Sequence, residues 1–369
     1  MTHELTAMVS FGDLELANRM VMAPMSRSRA TVDGVPSKLM VQHYGDRATA
    51  GLIISESAPI SPQGIGYPNT PGLFTSEQTA GWLRVVNAVR SRGGRMFAQL
   101  QHCGRVSHRL HQQDGALPVS ASAIKPKGFA VTAEGYKEFE TPRELDASEI
   151  SEVVDQYRQA AQNAHDAGFD GVEVHGANGY LIDQFLRDGT NKRTDGYGGT
   201  TENRTRFLQE IIDAVMTVFP AGRVGLKLSP ENSFNDMSDS DPQAHFETIV
   251  EAVADRDLGY LHVTEASMDF TGHVAGSPRN VDYGKLRALF DGTYIANNGY
   301  DRDRAEAAIR SGHADLVAFG APFLANPDLV RRYSEGLPLN TIDKSTFYMG
   351  GETGYNDYPF ASSNIKSAA

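Results

Sequence analysis

Eight short apolar segments recur along the chain, and most are followed by a segment with the periodicity of an amphipathic helix. Near-continuous apolar runs of this length are typical of parallel strands buried on both faces. Eight such strands with helices between them predict a (β/α)8 TIM barrel. A doubly wound sheet is the alternative, but it seldom supplies eight parallel strands without a domain break. The predicted strands are 19–25, 51–58, 95–102, 171–177, 223–230, 260–266, 293–299 and 315–321.

Three of the intervening segments predict helices most clearly. In "DASEISEVVDQYRQAAQNAHDAG", Asp146 and Glu149 resemble a capping box, an apolar stripe follows, and Gly168 supplies a stop. The segments "TENRTRFLQEIIDAVMTVF" and "DRDRAEAAIRSGHAD" show the same kind of apolar face.

The chain shows no linker and no repeat, so we expect one barrel domain over residues 1–369 with a core of about 8–360. "MVSFGDLELANR", before the first strand, predicts a small hairpin that closes the barrel floor. Residues 104–145 are rich in Gly, Pro and Ser. They predict an insertion after strand 3 that lies over the C-terminal mouth, where barrel active sites are found.

Charge and composition exclude several classes of partner. The formal net charge is −12 and no run of Lys and Arg stands out, which argues against nucleic acid or an anionic membrane. The single cysteine, Cys103, fits a reducing compartment. No signal peptide and no apolar stretch of membrane-spanning length is evident, so we expect a cytoplasmic protein, monomeric or homodimeric. No second ligand cluster accompanies His102 and Cys103, so we expect no metal.

Polar groups and glycines gather where the predicted strands end, as a barrel active site requires. The loops after strands 7 and 8 of such barrels often bind phosphate, and glycine there permits close backbone approach. A lysine and a carboxamide nearby would suit the polar edge of a flavin, although a phosphosugar would also fit. The residues at or near the strand ends are Ser26, Ser57, Gln99, Gln101, His175, Lys227, Glu265, Asn297, Asn298, Gly299 and Gly320.

Six blocks of sequence resemble those of a known family. The run "HGANGYLIDQFLRDGTNKRTDGYGGTTENRTRF" is similar to the signature block of the Old Yellow Enzymes, the FMN-dependent ene-reductases. The blocks "RMVMAPMSRSRA", "GLIISES", "FAQLQHCGR", "VGLKLSP" and "AFGAPFLANPDL" resemble further blocks of that family in the same order. "TFYMGGETGYNDYP" is similar to the tail of one of its branches. The resemblance covers about residues 8–360.

The resemblance implies a set of functional residues. His175 and Asn178 match the pair that holds the substrate oxygen, and Tyr180 matches the proton donor. The implied substrate space is lined by Tyr67, Gln101, Phe234 and Tyr348 together with His175 and Asn178. The implied cofactor is non-covalent FMN, with NADPH or NADH as electron donor. The implied FMN-binding residues are Pro24, Met25, Ser26, Ser57, Gln99, Lys227, Asn298, Gly299, Gly320 and Ala321.

The implied reaction is reduction of the activated C=C bond of an α,β-unsaturated carbonyl compound, with nitro compounds and nitrate esters as further candidates. The substrate is then a small electrophilic alkene, to which flavin N5 gives a hydride and Tyr180 a proton. A flavin-dependent isomerase or desaturase is one alternative. A non-catalytic barrel that binds a ligand weakly is the other.

Four positions depart from the family pattern. Gln101 stands where an aromatic residue is usual, Lys227 replaces Arg, Asn298 stands where Gly is usual, and Ala321 replaces an Arg near the phosphate. These departures predict that FMN is retained less firmly than is typical of the family. An ion pair between Lys227 and Glu265 inside the barrel is the alternative role for the lysine. We expect Arg187, Arg193, Tyr197 and Arg204 to tie the loop after strand 4 to the following helix.

Overall fold

The computed structural model describes residues 4–269, 272–273, 277 and 279–362. Eight parallel strands pair in chain order, and the eighth pairs with the first, so the sheet closes into a barrel. The predicted (β/α)8 barrel is confirmed. The strands are β1 (Met20–Met22), β2 (Leu52–Ile54), β3 (Met96–Gln101), β4 (Gly171–His175), β5 (Val224–Leu228), β6 (Tyr260–Thr264), β7 (Thr293–Asn297) and β8 (Leu316–Phe319).

Helices follow each strand and cover the outside of the barrel. The capping box predicted for the third helix is present, with the Glu149 carboxylate accepting from the backbone N–H of Asp146 at 2.8 Å. The helices are α1 (Lys38–Asp46), α2 (Ser76–Arg90), α3 (Ala147–Asp166), α4 (Leu181–Leu186), α5 (Thr201–Met216), α6 (Pro242–Ala254), α7 (Tyr283–Ala288), α8 (Arg302–Arg310), α9 (Ala321–Ala325) and α10 (Leu329–Glu335).

The strands are shorter than the apolar runs that predicted them, for local reasons. β1 ends at Met22, two residues before Pro24, which has no N–H for a ladder. β7 ends at Asn297 because Asn298 and Gly299 have φ of 89° and 72°, outside the extended region. Several of the polar residues and glycines predicted at the strand ends therefore lie in the loops above the barrel, whereas the others lie within the strands. Those in the loops are Ser26, Ser57, Glu265, Asn298, Gly299 and Gly320.

A hairpin closes the floor of the barrel, as predicted. Val9–Phe11 pairs antiparallel with Leu14–Leu16, and the side chain of Phe11 is 1% exposed. Its ring lies 5.9 Å from the rings of both Phe97 and Tyr260, inside the barrel. A Cβ at Gly171 or Gly225 would overlap these two inward-pointing rings, so glycine makes room for the floor.

The insertion after β3 lies partly over the mouth. It contains an antiparallel hairpin, Phe129–Thr132 with Gly135–Glu138, and a two-strand parallel pair, Val119–Ser120 with Arg143–Glu144. Val131 and Tyr136 of the hairpin line the cavity above the barrel. The remaining antiparallel pair is Met268–Asp269 with Gly272–His273. No helix in the described part of the chain is long and apolar enough to cross a membrane.

The charged residues after β4 hold the loop rather than face a ligand, as expected. Arg187 pairs with Asp183 at 2.8 Å, and both side chains are buried. Arg204 donates to the Leu186 carbonyl at 2.8 Å, which joins α5 to the end of α4. Arg193 donates hydrogen bonds to the Asp195 carboxylate and to the carbonyl of Leu145. The loop after β4 is thus fixed by buried guanidinium groups.

We expect Phe11→Ala to lower the free energy of unfolding by about 3–5 kcal/mol, because it leaves a cavity between the floor and two aromatic rings. Urea unfolding followed by the fluorescence of Trp82, the single tryptophan, measures this. Met8→Ala is the control, since that side chain is 65% exposed and its loss should matter by less than about 0.5 kcal/mol. Equal effects of the two substitutions would show that the hairpin does not contribute to the barrel core.

Candidate active site

A cavity of about 470 Å³ opens at the C-terminal ends of the strands, where the sequence placed the site. Its lining includes residues from β3, β4, β5, β7 and β8 and from the loops that follow the strands. The predicted site residues that line it are Pro24, Met25, Ser26, Ser57, Tyr67, Gln99, His175, Asn178, Tyr180, Lys227, Phe234, Asn298, Gly299, Gly320, Ala321 and Tyr348.

Gln101 lies behind the cavity wall. Its side chain is buried, it is not among the lining residues, and its Nε2 contacts the Cys103 thiol at 3.0 Å. Burial raises the pKa of Tyr180, and the nearby Gln101 side chain opposes this with a smaller effect. The resemblance implied that Gln101 lines the substrate space. The structure instead places Gln101 where it supports Tyr180 from the rear.

The turn after β4 brings His175, Asn178 and Tyr180 to one side of the cavity. β4 ends at His175, and Asn178 and Gly179 follow with φ of 59° and 78°. Asn is among the residues that tolerate this left-handed region. The chain then reverses, so that Tyr180 precedes α4 and its ring centroid lies 5.1 Å from that of His175.

His175 is a neutral group at ordinary pH. Burial lowers the pKa of its imidazole to about 3, and the positive charge of Lys227 acts in the same direction. Its Nδ1 is buried and forms no hydrogen bond with any described residue. A neutral imidazole carries one N–H, which leaves a donor for a ligand without adding a buried charge.

The hydroxyls of Tyr180 and Tyr67 lie 3.2 Å apart. Burial raises the pKa of both phenols above the ordinary value, so both keep their protons at neutral pH. Tyr180 thus presents a protonated hydroxyl to the cavity, with a second hydroxyl in contact with it. This pairing is suited to proton donation.

A chain of buried hydrogen bonds runs under the cavity from the loop after β2 to β6. The Ser57 hydroxyl donates to Gln99 Oε1 at 2.5 Å, and Gln99 Nε2 donates to Glu173 Oε1 at 2.6 Å. The other Glu173 oxygen accepts from His262 Nδ1 at 2.8 Å. The amide orientation of Gln99 is thereby fixed, with one Nε2 hydrogen left for a ligand.

The sequence reasoning missed Glu173 and His262. A signal existed in "VEVH", because a carboxylate inside a buried parallel strand needs a partner. Glu173 also lies two residues before His175, on the same face of the strand.

Lys227 is a buried cation at the cavity. It lies in register with His175 on β4 and with His262 on β6. Burial lowers the pKa of its ammonium group to about 8, and the negative charge of Glu173 opposes this shift. Within the described residues it forms no hydrogen bond or ion pair. The alternative pairing with Glu265 is not present, because that carboxylate contacts His313 at 2.7 Å and Arg279 at 3.1 Å instead.

The ends of β7 and β8 form a neutral wall of the cavity. The side chain of Asn298 points into the protein, where its Nδ2 donates to the carbonyls of Glu265 and Ser267 at 2.8 and 3.0 Å. Gly299, Gly320 and Ala321 complete this wall. Among the described lining residues the cations are Arg27 and Lys227, and neither lies in this wall.

A C-terminal segment borders the mouth and is anchored by two arginines. Arg27 and Arg29 both donate to the carbonyl of Phe347, at 2.7 and 3.0 Å. The guanidinium of Arg29 also lies 4.6 Å from the centre of the Tyr355 ring, a cation–π distance. These contacts place Phe347 and Tyr348 in the cavity lining.

Comparison with known proteins decides the family. A family model described as NADH:flavin oxidoreductase / NADH oxidase matches residues 5–340. The chain belongs to this family. 12-Oxophytodienoate reductase 7 of Oryza sativa subsp. japonica is 43% identical over 361 residues, covering 94% of this chain and 91% of the relative.

Solved structures agree. A structure of morphinone reductase matches with a TM-score of 0.93 and 45% identity, covering 99% of this chain and 98% of the other. An old yellow enzyme homologue from Zymomonas mobilis matches with a TM-score of 0.91 and 39% identity, covering 96% of this chain and 99% of the other. The resemblance to the Old Yellow Enzymes is confirmed, and the protein is an FMN- and NAD(P)H-dependent oxidoreductase. Membership contradicts the alternative of a non-catalytic barrel.

The cavity of this oxidoreductase fits FMN by the chemistry of its lining. A flavin ring has two apolar faces and one edge of alternating donors and acceptors. The lining offers apolar groups from Pro24, Met25 and Phe347 beside the polar group of Gln99 and the ammonium of Lys227, which has no partner among the described residues. The neutral wall with its glycines lies at the barrel position that commonly takes phosphate.

Proposed function

We propose that this enzyme reduces the activated C=C bond of α,β-unsaturated carbonyl compounds, small electrophilic alkenes, and that Tyr180 supplies the proton. The observation that carries the proposal is the convergence of neutral His175, the Asn178 amide and the protonated Tyr180 hydroxyl on one cavity. FMN supplies the hydride, through its N5, when it is bound and reduced.

For the cofactor, we propose that Gln99 and Lys227 hold the polar edge of the ring, with Pro24, Met25, Ser26 and Ser57 around it. The fixed amide of Gln99 and the buried ammonium of Lys227, which forms no ion pair within the described part of the chain, support this placement. The proposed phosphate position is the neutral wall of Asn298, Gly299, Gly320 and Ala321. The Asn298 side chain is committed to two carbonyls there, so its backbone N–H is the group left for phosphate.

For the substrate, we propose that His175 and Asn178 clamp the carbonyl oxygen. Negative charge builds on that oxygen as the β-carbon gains hydride. Two donors aimed at it stabilise the transition state more than the ground state. The depressed pKa of His175 keeps the imidazole neutral, so its contribution is a hydrogen bond rather than a charge. Tyr67, Phe234 and Tyr348 are the proposed walls of the substrate space.

Tyr180 is the proposed general acid for the α-carbon. Its raised pKa keeps the proton in place until a strongly basic carbon is present. The Tyr67 hydroxyl, 3.2 Å away, stabilises the phenolate left after transfer and offers a route for its reprotonation. Retention of a proton donor favours reduction over the isomerase and desaturase alternative, whose reactions need no external hydride.

The proposal also covers the electron donor, which is NADPH or NADH. NADPH or NADH would enter the same cavity in alternation with the alkene, since no GxGxxG motif indicates a separate nucleotide domain. The single flavin domain over residues 1–369, with a core of about 8–360, and the cytoplasmic location stay predictions from the sequence. The relatives are named for two different substrates, 12-oxophytodienoate and morphinone, and these names leave the natural alkene open.

We expect Tyr180→Phe to slow alkene reduction by about 10²–10⁴-fold while NADPH reduces the flavin at nearly the unmodified rate. Stopped-flow absorbance at the flavin band measures both half-reactions. Tyr67→Phe is the matched control, because it removes a neighbouring hydroxyl and leaves Tyr180 in place. It should slow alkene reduction far less than Tyr180→Phe does. If both half-reactions slow equally in Tyr180→Phe, Tyr180 is not a dedicated proton donor.

We expect Ala321→Arg to tighten FMN binding by about tenfold, because it adds a charge-assisted hydrogen bond to the neutral wall. The measurement is the dissociation constant of the apoprotein for FMN by fluorescence quenching. Riboflavin is the matched ligand control, since it lacks the phosphate and should bind the variant and the unmodified protein alike. Equal tightening of both flavins, or of neither, would place the phosphate elsewhere.

A further inference from the structure

The carboxamide of Asn178 has a defined direction in the structure. Its Oδ1 accepts a hydrogen bond from Nδ2 of Asn232 at 2.9 Å. Its own Nδ2 has no partner among the described residues, and Asn178 lines the cavity. The amide therefore turns its oxygen inward and leaves its N–H groups for a ligand.

Asn232 is itself held in one orientation. It is fully buried, and its Oδ1 accepts from the backbone N–H groups of Phe234 at 3.0 Å and Met268 at 3.4 Å. Backbone N–H groups can only donate, so the atom that they contact must be the oxygen. The nitrogen of Asn232 must then face Asn178 as a donor. If Asn178 were reversed, two NH₂ groups would face each other inside the protein without an acceptor.

The backbone of Asn178 is positioned by other contacts. Its N–H donates to the Ser229 hydroxyl at 2.8 Å, and its carbonyl accepts from Asn235 Nδ2 at 2.8 Å. The side-chain hydrogen bond from Asn232 to Asn178 reaches the side-chain amide and not the backbone. Its contribution is therefore separable from the formation of the turn.

We propose that Asn232 is a positioning residue that fixes the hydrogen-bonding polarity of Asn178. By donating to Oδ1, it compels Asn178 to present donors, and not its oxygen, to the carbonyl oxygen of the substrate. The proposal rests on the proposed function for the identity of the substrate. The direction of the amide rests on the hydrogen bonds alone.

Asn232→Asp tests this polarity directly. The new carboxylate keeps both acceptor contacts with Phe234 and Met268 but cannot donate to Asn178. The Asn178 amide should then turn its NH₂ to the carboxylate and its oxygen to the cavity. A ligand that can only accept hydrogen bonds should lose affinity. A ligand that can also donate one should keep most of its affinity, because it can donate to the Asn178 oxygen.

The probes are acetophenone, which only accepts, and 1-phenylethanol, which has the same skeleton and can donate. Each is titrated into the FMN-loaded enzyme and followed by the flavin absorbance. We expect Asn232→Asp to weaken the binding of acetophenone by about tenfold or more and the binding of 1-phenylethanol by less than about threefold. In an Asn178→Ala background, Asn232→Asp should add no further discrimination between the two ligands.

Ser233→Asp is the charge control, since it adds the same charge one residue away on an exposed side chain. It should leave the ratio of the two affinities unchanged. Equal weakening of both ligands by Asn232→Asp, or an unchanged ratio, would overturn the proposal. The proposal would also be overturned if Asn232→Asp changed the ratio of the two affinities equally in the Asn178→Ala background. Enone turnover by the unmodified enzyme tests the proposed function separately. If the enzyme did not turn over an enone, the affinity ratio would still test the hydrogen-bonding polarity of Asn178.

Discussion

The buried carboxylate of Glu173 is the constraint on which the arrangement of the site depends. Its side chain is fully buried, and an uncompensated charge there would cost several kcal/mol. Gln99 and His262 each donate to one of its oxygens, and the charge of Lys227 helps to keep its pKa low against the effect of burial. These groups come from β3, β4, β5 and β6. One charge thus ties four neighbouring strands together and fixes the polar groups below the cavity before any ligand arrives.

The reactive groups above this network follow from strand geometry and one turn. His175 points to the same side as Glu173 because strand residues alternate. Asn178 and Gly179 then reverse the chain with positive φ, which brings Tyr180 back beside the imidazole. A second fixed network, through Asn232, sets the direction of the Asn178 amide. Both networks orient side-chain amides whose two ends look alike in shape and differ only in hydrogen bonding.

The sequence was sufficient for the barrel and for most of the cavity lining. Eight apolar runs predicted eight strands, and the parallel arrangement makes their ends meet at one rim, so residues as far apart as Ser26 and Ala321 could be placed together. The sequence placed Gln101 in the lining of the substrate space, whereas the structure places it behind the cavity wall. It ends β3 as expected, but whether its side chain lines the cavity or supports Tyr180 depends on Cys103 and Tyr180 around it.

Asn232 and Glu265 show a second limit of the sequence. Nothing in "SPENSF" distinguishes a loop asparagine from a residue that orients another amide, since that role arises from contacts with Asn178 and Met268, which are distant in sequence. Glu265 directly follows β6, near the strand end as predicted. Its carboxylate pairs with His313 and Arg279, whereas the negative charge that acts on Lys227 is that of Glu173.

The central claim is that one cavity carries out both half-reactions of an ene-reductase. The most direct test is the visible spectrum of the purified protein, recorded anaerobically before and after NADPH and then after 2-cyclohexenone. We predict a flavin band that bleaches with the nucleotide and returns with the enone. A flavin that bleaches and stays reduced in excess enone would contradict the claim.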